Sequence, residues 1–245
     1  MATRNSSDVA FFLVQGRNLL GSLTGFSDKA ADQAVETTPL GVSNPTHAWT
    51  GVTRTTFSQK GLFDDAVGGS NEALSGRGRI SQVLCHGLEG NALGKRMVGY
   101  AGLFANVYTR ICAIGAMHLA NASGEVSGNR DEGVILQPLA TVTAAGNTDA
   151  TSVDNGASSA NGGAGYLQVT ALTLGGYTNH IAKVRHSTDN ITFADLLTFA
   201  AVTTAQTGQR VTVAGTVNRY LSTSRAWTGG GSGQSWTGMI AFSRG

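Results

Sequence analysis

The sequence predicts an all-β fold, a β-sandwich or barrel with one or two short helices. Three observations carry this. Apolar and polar residues alternate at period two in several segments, as on the two faces of a half-buried strand. The composition suits strands and turns: 34 Gly, only 3 Pro, and abundant Val, Thr and Ser. Clusters of Gly, Asn, Asp and Ser separate the alternating segments at short intervals.

Residues 8–20 (DVAFFLVQGRNLL) are apolar on both faces and read as a strand inside a sheet. Residues 24–42 are polar and patternless. They read as a long loop of the kind that function or a partner orders. Residues 47–57 alternate as a strand, and 59–76 read as a loop with a one- or two-turn helix at 71–74. A strand at 79–86 and a glycine-bounded turn at 87–94 follow. Residues 96–119 read as two strands, or as one strand kinked near 102–106. A helix over 109–119 is weakened by Gly115. Residues 124–133 are a polar loop, and 134–142 a strand or arm.

Residues 144–165 (AAGNTDATSVDNGASSANGGAG) form a linker candidate or one long exposed loop. They divide the chain into an N-terminal β domain (1–143) and a second β unit (166–245). That unit opens on a strand at 166–174 and is organised around residues 177–221. A strand at 180–186 leads to a turn at Ser187, Thr188, Asp189 and Asn190. Phe193, Leu196 and Leu197 then share one helical face, so a short helix or a bent strand is expected over 190–199. Val211 and Val213 mark a strand over 209–215. Strands at 221–227 and 236–242 close the chain as a hairpin across the glycine-rich turn 228–234. Residues 47–87 and 180–215 echo one another as strand, short helical segment and strand, which suggests two related β units.

Charged residues make up 13% of the 245, against roughly 25% in an ordinary soluble domain. A subunit that covers much of its surface with copies of itself fits that deficit. A net charge of +2 gives no reason to expect tight nucleic-acid binding. The charge is uneven: no Glu follows Glu132, so the second half is weakly basic. The N-terminal residues hold a five-residue apolar run, too short for a signal peptide or a membrane span. The sequons at Asn5, Asn121 and Asn190 therefore carry no message. Cys85 and Cys112 lie in apolar runs and read as buried free thiols.

Signatures of chemistry are weak. Gly90, Gly94 and Lys95 suggest a phosphate loop. The spacing is short by one residue, and Arg96 stands where Ser or Thr is needed, so a glycine turn is the better reading. Asp64 and Asp65, with Glu72 nearby, could bind a cation, but adjacent side chains diverge and a solvated loop fits better. His47, His86, His118, His180 and His186 are scattered. The last two lie about 20 Å apart along one strand, too far to share a metal. Trp227 and Trp236 flank the glycine-rich turn and could stack on a sugar; packing on a sheet is the plainer reading. The sequence therefore names no catalytic, cofactor-binding or metal-binding residue, and no cofactor.

Four segments carry a family resemblance: residues 78–110 (GRISQVLCHGLEGNALGKRMVGYAGLFANVYTR), 153–171 (VDNGASSANGGAGYLQVTA), 184–199 (VRHSTDNITFADLLTF) and 210–221 (RVTVAGTVNRYL). Together they resemble the major tail (tail tube) proteins of long-tailed, non-contractile bacteriophages. The resemblance implies a β-sandwich or barrel flanked by a short helix. It also implies a non-enzymatic subunit that self-assembles into stacked rings, a hollow conduit for DNA. The implied partners are further copies of the chain in three-fold or six-fold rings, tape-measure and tail-terminator proteins, and DNA passing without tight binding; no membrane is involved. The implied location is the virion tail, assembled in the host cytoplasm. The family's acidic lumen is not matched by this chain's basic excess. The alternative from another class is a β-sandwich carbohydrate-binding or capsid-decorating module, and a third is a β-rich hydrolase.

Overall fold

A computed structural model describes residues 8–37, 47–76, 81–128 and 130–245. The strands in chain order are β1 (Phe12–Val14), β2 (Arg17–Asn18), β3 (Leu23–Glu36), β4 (His47–Leu62), β5 (Gln82–Gly87), β6 (Arg96–Ile111), β7 (Leu119–Val126) and β8 (Arg130–Val142). The second half adds β9 (Gly146–Asn147), β10 (Val153–Asp154), β11 (Gly163–Thr173), β12 (Asn179–Ser187), β13 (Ala194–Thr198), β14 (Thr207–Val213), β15 (Tyr220–Thr228) and β16 (Ser235–Arg244). The short helix α1 (Ser70–Leu74) lies between β4 and β5, where a helix was expected. The fold is all-β.

The described residues form two sheets. The larger runs β14-β11-β16-β8-β6-β5-β1-β2, with β7, β4 and β3 branching from β6. The smaller runs β10-β15-β12-β13, with β9 on β15. The branch point is a kink. β6 pairs β8 through residues 96–100 and β7 through residues 103–111. Between them Gly102 adopts φ +71, and a bulge follows at Ala105/Val107. This is the single kinked strand that the sequence allows; no helix forms over 109–119.

The described residues form three buried clusters. Between the two sheets, Leu136, Leu167, Val169, Val184, Trp236 and Ile240 form the core of a C-terminal sandwich. The opposite face of the large sheet curls on itself around Phe11, Leu13, Cys85, Met97, Tyr166 and Met239. The third cluster, Phe12, Phe57, Leu74, Leu84, Tyr100 and Leu103, lies under α1. Each β1 residue serves one core only, because successive side chains leave opposite faces.

Two glutamines close the curl. Gln15 (φ 49) and Gly16 (φ 73) turn the chain from β1 into β2, an I′-like turn that breaks the strand expected over 8–20. The fully buried Gln168 accepts from Gly16 N at 2.6 Å and donates to Val83 O at 3.0 Å. From the other side, Gln15 accepts from Val83 N at 3.1 Å and donates to Gly208 O at 3.2 Å. Side-chain amides thus stand in for the backbone pairing that β2 and β5 do not make with β11 and β14.

Several expectations need correction. Of the patternless stretch 24–42, the described part is strand β3, paired with β4 from Leu23↔Gly61 to Glu36↔His47; residues 38–42 lie outside the described residues. Most of its described side chains are exposed or half-buried, so no burial period marks it in the sequence. The closing hairpin does not form. β15 pairs with β12 in the small sheet, and β16 pairs with β8 and β11 in the large one. Each strand has an apolar face, and each completes a different layer. The echo of strand, helix and strand does not recur either. Residues 194–198 are strand β13, the bent-strand alternative, and its flanking strands fall in different sheets. Residues 144–165 run along β15 and its approach, tied by Thr148 N to Thr223 O, Asn155 N to Arg219 O and Ser159 N to Val217 O. The large sheet is continuous across this stretch, since β8 lies between β6 and β16.

Candidate interaction surfaces

The strongest polar constellations sit back to back on the β6/β8 pair. Tyr100 lies opposite Arg130, and Gly99 opposite Asp131. On one face the Tyr100 hydroxyl donates to Asp28 Oδ2 at 2.6 Å, and Arg130 Nε donates to the same oxygen at 2.9 Å. On the other face the Tyr166 hydroxyl donates to Asp131 Oδ2 at 2.5 Å, and Arg210 Nε donates to that oxygen at 2.7 Å. Gly99 makes room for the second set: a Cβ there would stand 2.6 Å from the Tyr166 ring. Burial and the neighbouring carboxylate push both tyrosine hydroxyls up. Burial raises the Asp28 carboxyl, but the Tyr100 and Arg130 hydrogen bonds outweigh it and hold it below the usual range. Both phenols stay protonated as donors and lie too deep to act on a substrate. These triads pin β3 to β6 and β8, and β11 and β14 to β8.

The sequence's site candidates do not converge. Glu72 is held by Arg17 at 2.6 Å and by Gly68 N at 2.6 Å, while Asp64 Oδ1 accepts from Ala66 N. Among the described residues no three His, Cys, Asp or Glu side chains gather as a metal site. The amide of Gly94 is committed to Ile135 O, so the turn is no phosphate cradle. His86 is buried beside Tyr100, and His180 is buried between Trp227 and Trp236, each ring 4.7 Å away. Burial pulls both imidazoles down to about 4. Trp236 is 1% exposed, so the two tryptophans form no open sugar platform. His47 is exposed, and His186 Nδ1 accepts from Asn218 N. Among the described residues no helix is long and apolar enough to cross a membrane.

Two surfaces remain. The first is the outer part of the β3–β4 ribbon. β4 gains a second neighbour, β7, only from Thr55 onward. Residues 31–36 and 47–54 therefore pair with each other alone, over roughly 25 Å. Along all of β3 the outer edge has no strand partner among the described residues.

The second surface lies at the other end of β4. Phe63 separates a cleft of about 450 Å³, lined by Leu62, Asp64, Val67 and Gly69, from one of about 310 Å³, lined by Arg110, Ile111, Cys112, His118 and Leu119. Around them Val67 (90%), Ile114 (108%) and Met117 (69%) stand in solvent. Cys112 Sγ lies 2.8 Å from His118 Nε2, and the Arg110 guanidinium sits 6.0 Å from the Phe63 ring centre. Cys112 is thus exposed, against the expectation of burial, because it falls in the β6–β7 turn; Cys85 is buried as expected. The exposed apolar side chains share no strand period, so no pattern in the sequence marks them.

No protein-family model matches the chain, and no curated protein matches it. Among solved structures, a chain from the virion of a native gene transfer agent particle is 13% identical with a TM-score of 0.39. The match covers 53% of this chain and 98% of that one. A chain from the tail of an empty gene transfer agent particle, refined helically in C6 symmetry, gives 13%, 0.39, 52% and 97%. The SPP1 Dit protein, described as a paradigm of the hub adsorption apparatus in phages infecting Gram-positive hosts, gives 11%, 0.37, 96% and 98%. At these TM-scores the likenesses carry no argument about what this chain does.

Proposed function

We propose that this chain is a non-enzymatic structural subunit of a bacteriophage-type virion tail, joined to copies of itself edge to edge in rings. The observation that supports the reading is the β3–β4 ribbon. A two-stranded ribbon without a third strand is marginal in water, and a long free edge invites pairing with another chain. A neighbour's strand laid on β3 removes both liabilities and extends the sheet around a ring. The low charge of the sequence fits a surface that is largely covered.

In the finer form of this reading, stacked rings make a tube through which DNA passes without tight binding, with tape-measure and tail-terminator proteins as partners. The subunit is assembled in the host cytoplasm. Because the echo of residues 47–87 in 180–215 does not recur in the fold, one tube unit per chain and six copies per ring fit better than three. The sandwich of β9, β10, β12, β13 and β15 on the large sheet serves as the outer domain. A sugar-binding module is the weaker reading, since Trp236 is buried.

Light scattering and negative-stain microscopy of concentrated protein test this. Rings or tubes support it. A monomer at every concentration, together with affinity for a glycan, would replace it by the sugar-binding reading.

A further inference from the structure

We infer that the cleft between Arg96 and Arg244, at the end of the C-terminal sandwich, binds a phosphate group, with the two guanidinium groups as its donors. The site goes beyond the self-assembly proposed above and does not depend on it.

The cleft follows from register. Val134 of β8 pairs with Arg96 of β6 on one side and with Phe242 of β16 on the other, so the three side chains share one face of the large sheet. Val134 and Phe242 pack in the core beneath the small sheet. Glu132 and Arg244 lie two positions further along β8 and β16 and keep that face. Beyond this last apolar pair the sandwich opens into a cleft of about 270 Å³, lined by Arg96, Glu132, Val134, Asn155, Phe242 and Arg244.

Charge is unbalanced there. The neighbouring arginines all have carboxylates: Arg96 holds Glu132 at 2.7 Å, Arg130 holds Glu132 at 2.6 Å and Asp28 at 2.9 Å, Arg210 holds Asp131 at 2.7 Å, and Arg219 holds Asp154 at 2.6 Å. Arg244 has none among the described residues. Its Nη2 donates to Val217 O at 2.9 Å, and its Nε is buried without a partner. At Arg130 and Arg210 hydrogen bonds to carboxylates outweigh the effect of burial and hold the guanidinium above its ordinary value; at Arg244 burial acts alone and pulls it down. A half-buried cation without a counter-ion is unfavourable, and a bound anion removes the deficit. Glu132 does not supply it, because Arg96 takes one of its oxygens and Arg130 the other.

The geometry selects the class of anion. Arg96 and Arg244 stand on strands that flank β8 on opposite sides. Their ligand must offer oxygens in more than one direction. A tetrahedral phosphate does so, whereas a planar carboxylate presents both oxygens to a single guanidinium fork. The Arg96 side chain is 58% exposed, so the cleft is reached from solvent. The phosphate is either free or carried on a nucleic-acid backbone.

Calorimetric titration of inorganic phosphate into the native protein, at constant ionic strength, tests the site. Saturable binding is expected. Arg244→Gln should weaken it roughly ten-fold or more, as for a lost hydrogen bond to a charged group. Arg96→Gln, at an exposed position, should weaken it with the circular dichroism unchanged. Arg54→Gln, which removes an exposed arginine of the β3–β4 ribbon, should leave it unaltered. A short oligothymidylate forms the second arm. Binding tighter than that of inorganic phosphate, and lost in Arg244→Gln, identifies a nucleic-acid backbone as the source; binding of inorganic phosphate alone identifies free phosphate. Should Arg244→Gln fail to fold, the contrast between Arg96→Gln and Arg54→Gln decides. No saturable binding in either arm, equal binding of acetate, or arginine variants that bind like the parent overturn the inference and leave the proposed function standing.

Discussion

Arg130 and Asp131 are neighbours on β8 and face opposite ways, and each completes a triad of tyrosine, aspartate and arginine on its own side of the sheet. In one triad β8 supplies the arginine, in the other the aspartate. Two adjacent residues therefore couple one strand to β3 and β6 on one face and to β11 and β14 on the other.

The two triads give a paired test. Tyr166→Phe removes the donor to Asp131, and Tyr100→Phe removes the donor to Asp28; each leaves the arginine in place. Each should cost about 1.5–3 kcal/mol, as expected for a hydrogen bond to a charged group. Urea denaturation measures it. A change near zero in either variant would show that Arg210 or Arg130 alone suffices.

Gly99 is a sharper probe of the same place. Gly99→Ala drives a methyl group into the Tyr166 ring at 2.6 Å. Overpacking of this kind costs roughly 1–3 kcal/mol. The midpoint of thermal unfolding should fall, whereas Gly21→Ala, where a Cβ meets nothing within 4 Å, should leave it nearly unchanged.

The glutamine bridge that closes the curl should be cooperative. Gln168→Leu strands the amide of Gly16, at about 1–3 kcal/mol for a buried unpaired group, while Val83 O keeps its bond from Gln15 N at 2.8 Å. Hydrogen exchange at the Gly16 amide should accelerate with the loss of stability. Exchange in β15, which belongs to the other sheet, should respond less if the seam opens before the whole molecule unfolds.

Acid should weaken the fold in two stages. His86 and His180 titrate near 6.5 when unfolded and at about 4 when folded. Between these values the unfolded chain binds more protons, so stability falls as pH drops from about 6.5 to 4 and then levels. At about 1.4 kcal/mol per pH unit, each histidine contributes up to roughly 3 kcal/mol. Asp154 and Asp189, held at about 2 by hydrogen bonds, lose their smaller contribution only below pH 4. Thermal melts from pH 8 to 3 check this. His180→Phe should flatten the upper stage; an unchanged slope there would remove His180 as its cause.

The cysteines should differ in reactivity. Cys112 should be alkylated in the native protein. Cys85, buried with its thiol pushed up to about 12, should react only on unfolding. Mass spectrometry after timed iodoacetamide treatment resolves the two.

The sequence by itself determined the β class, a break near Gly102 in the stretch that becomes β6, helix α1, and strands β4, β5, β11, β12, β14, β15 and β16 to within a few residues at most ends. All of these are local: a period of two, a glycine where the backbone must bend, a cluster of turn formers. Only the tertiary structure decided which strands pair. β15 and β16 look like one hairpin, yet each buries an apolar face against a different layer. β3 is held by hydrogen bonds to β4 and leaves no burial pattern to read. The triads join Asp28 to Tyr100 across 72 residues and Asp131 to Arg210 across 79. Periodicity reports which face of a strand is buried; it is silent on the partner across the sheet, because that choice depends on cross-strand hydrogen bonds and packing between residues far apart in the chain.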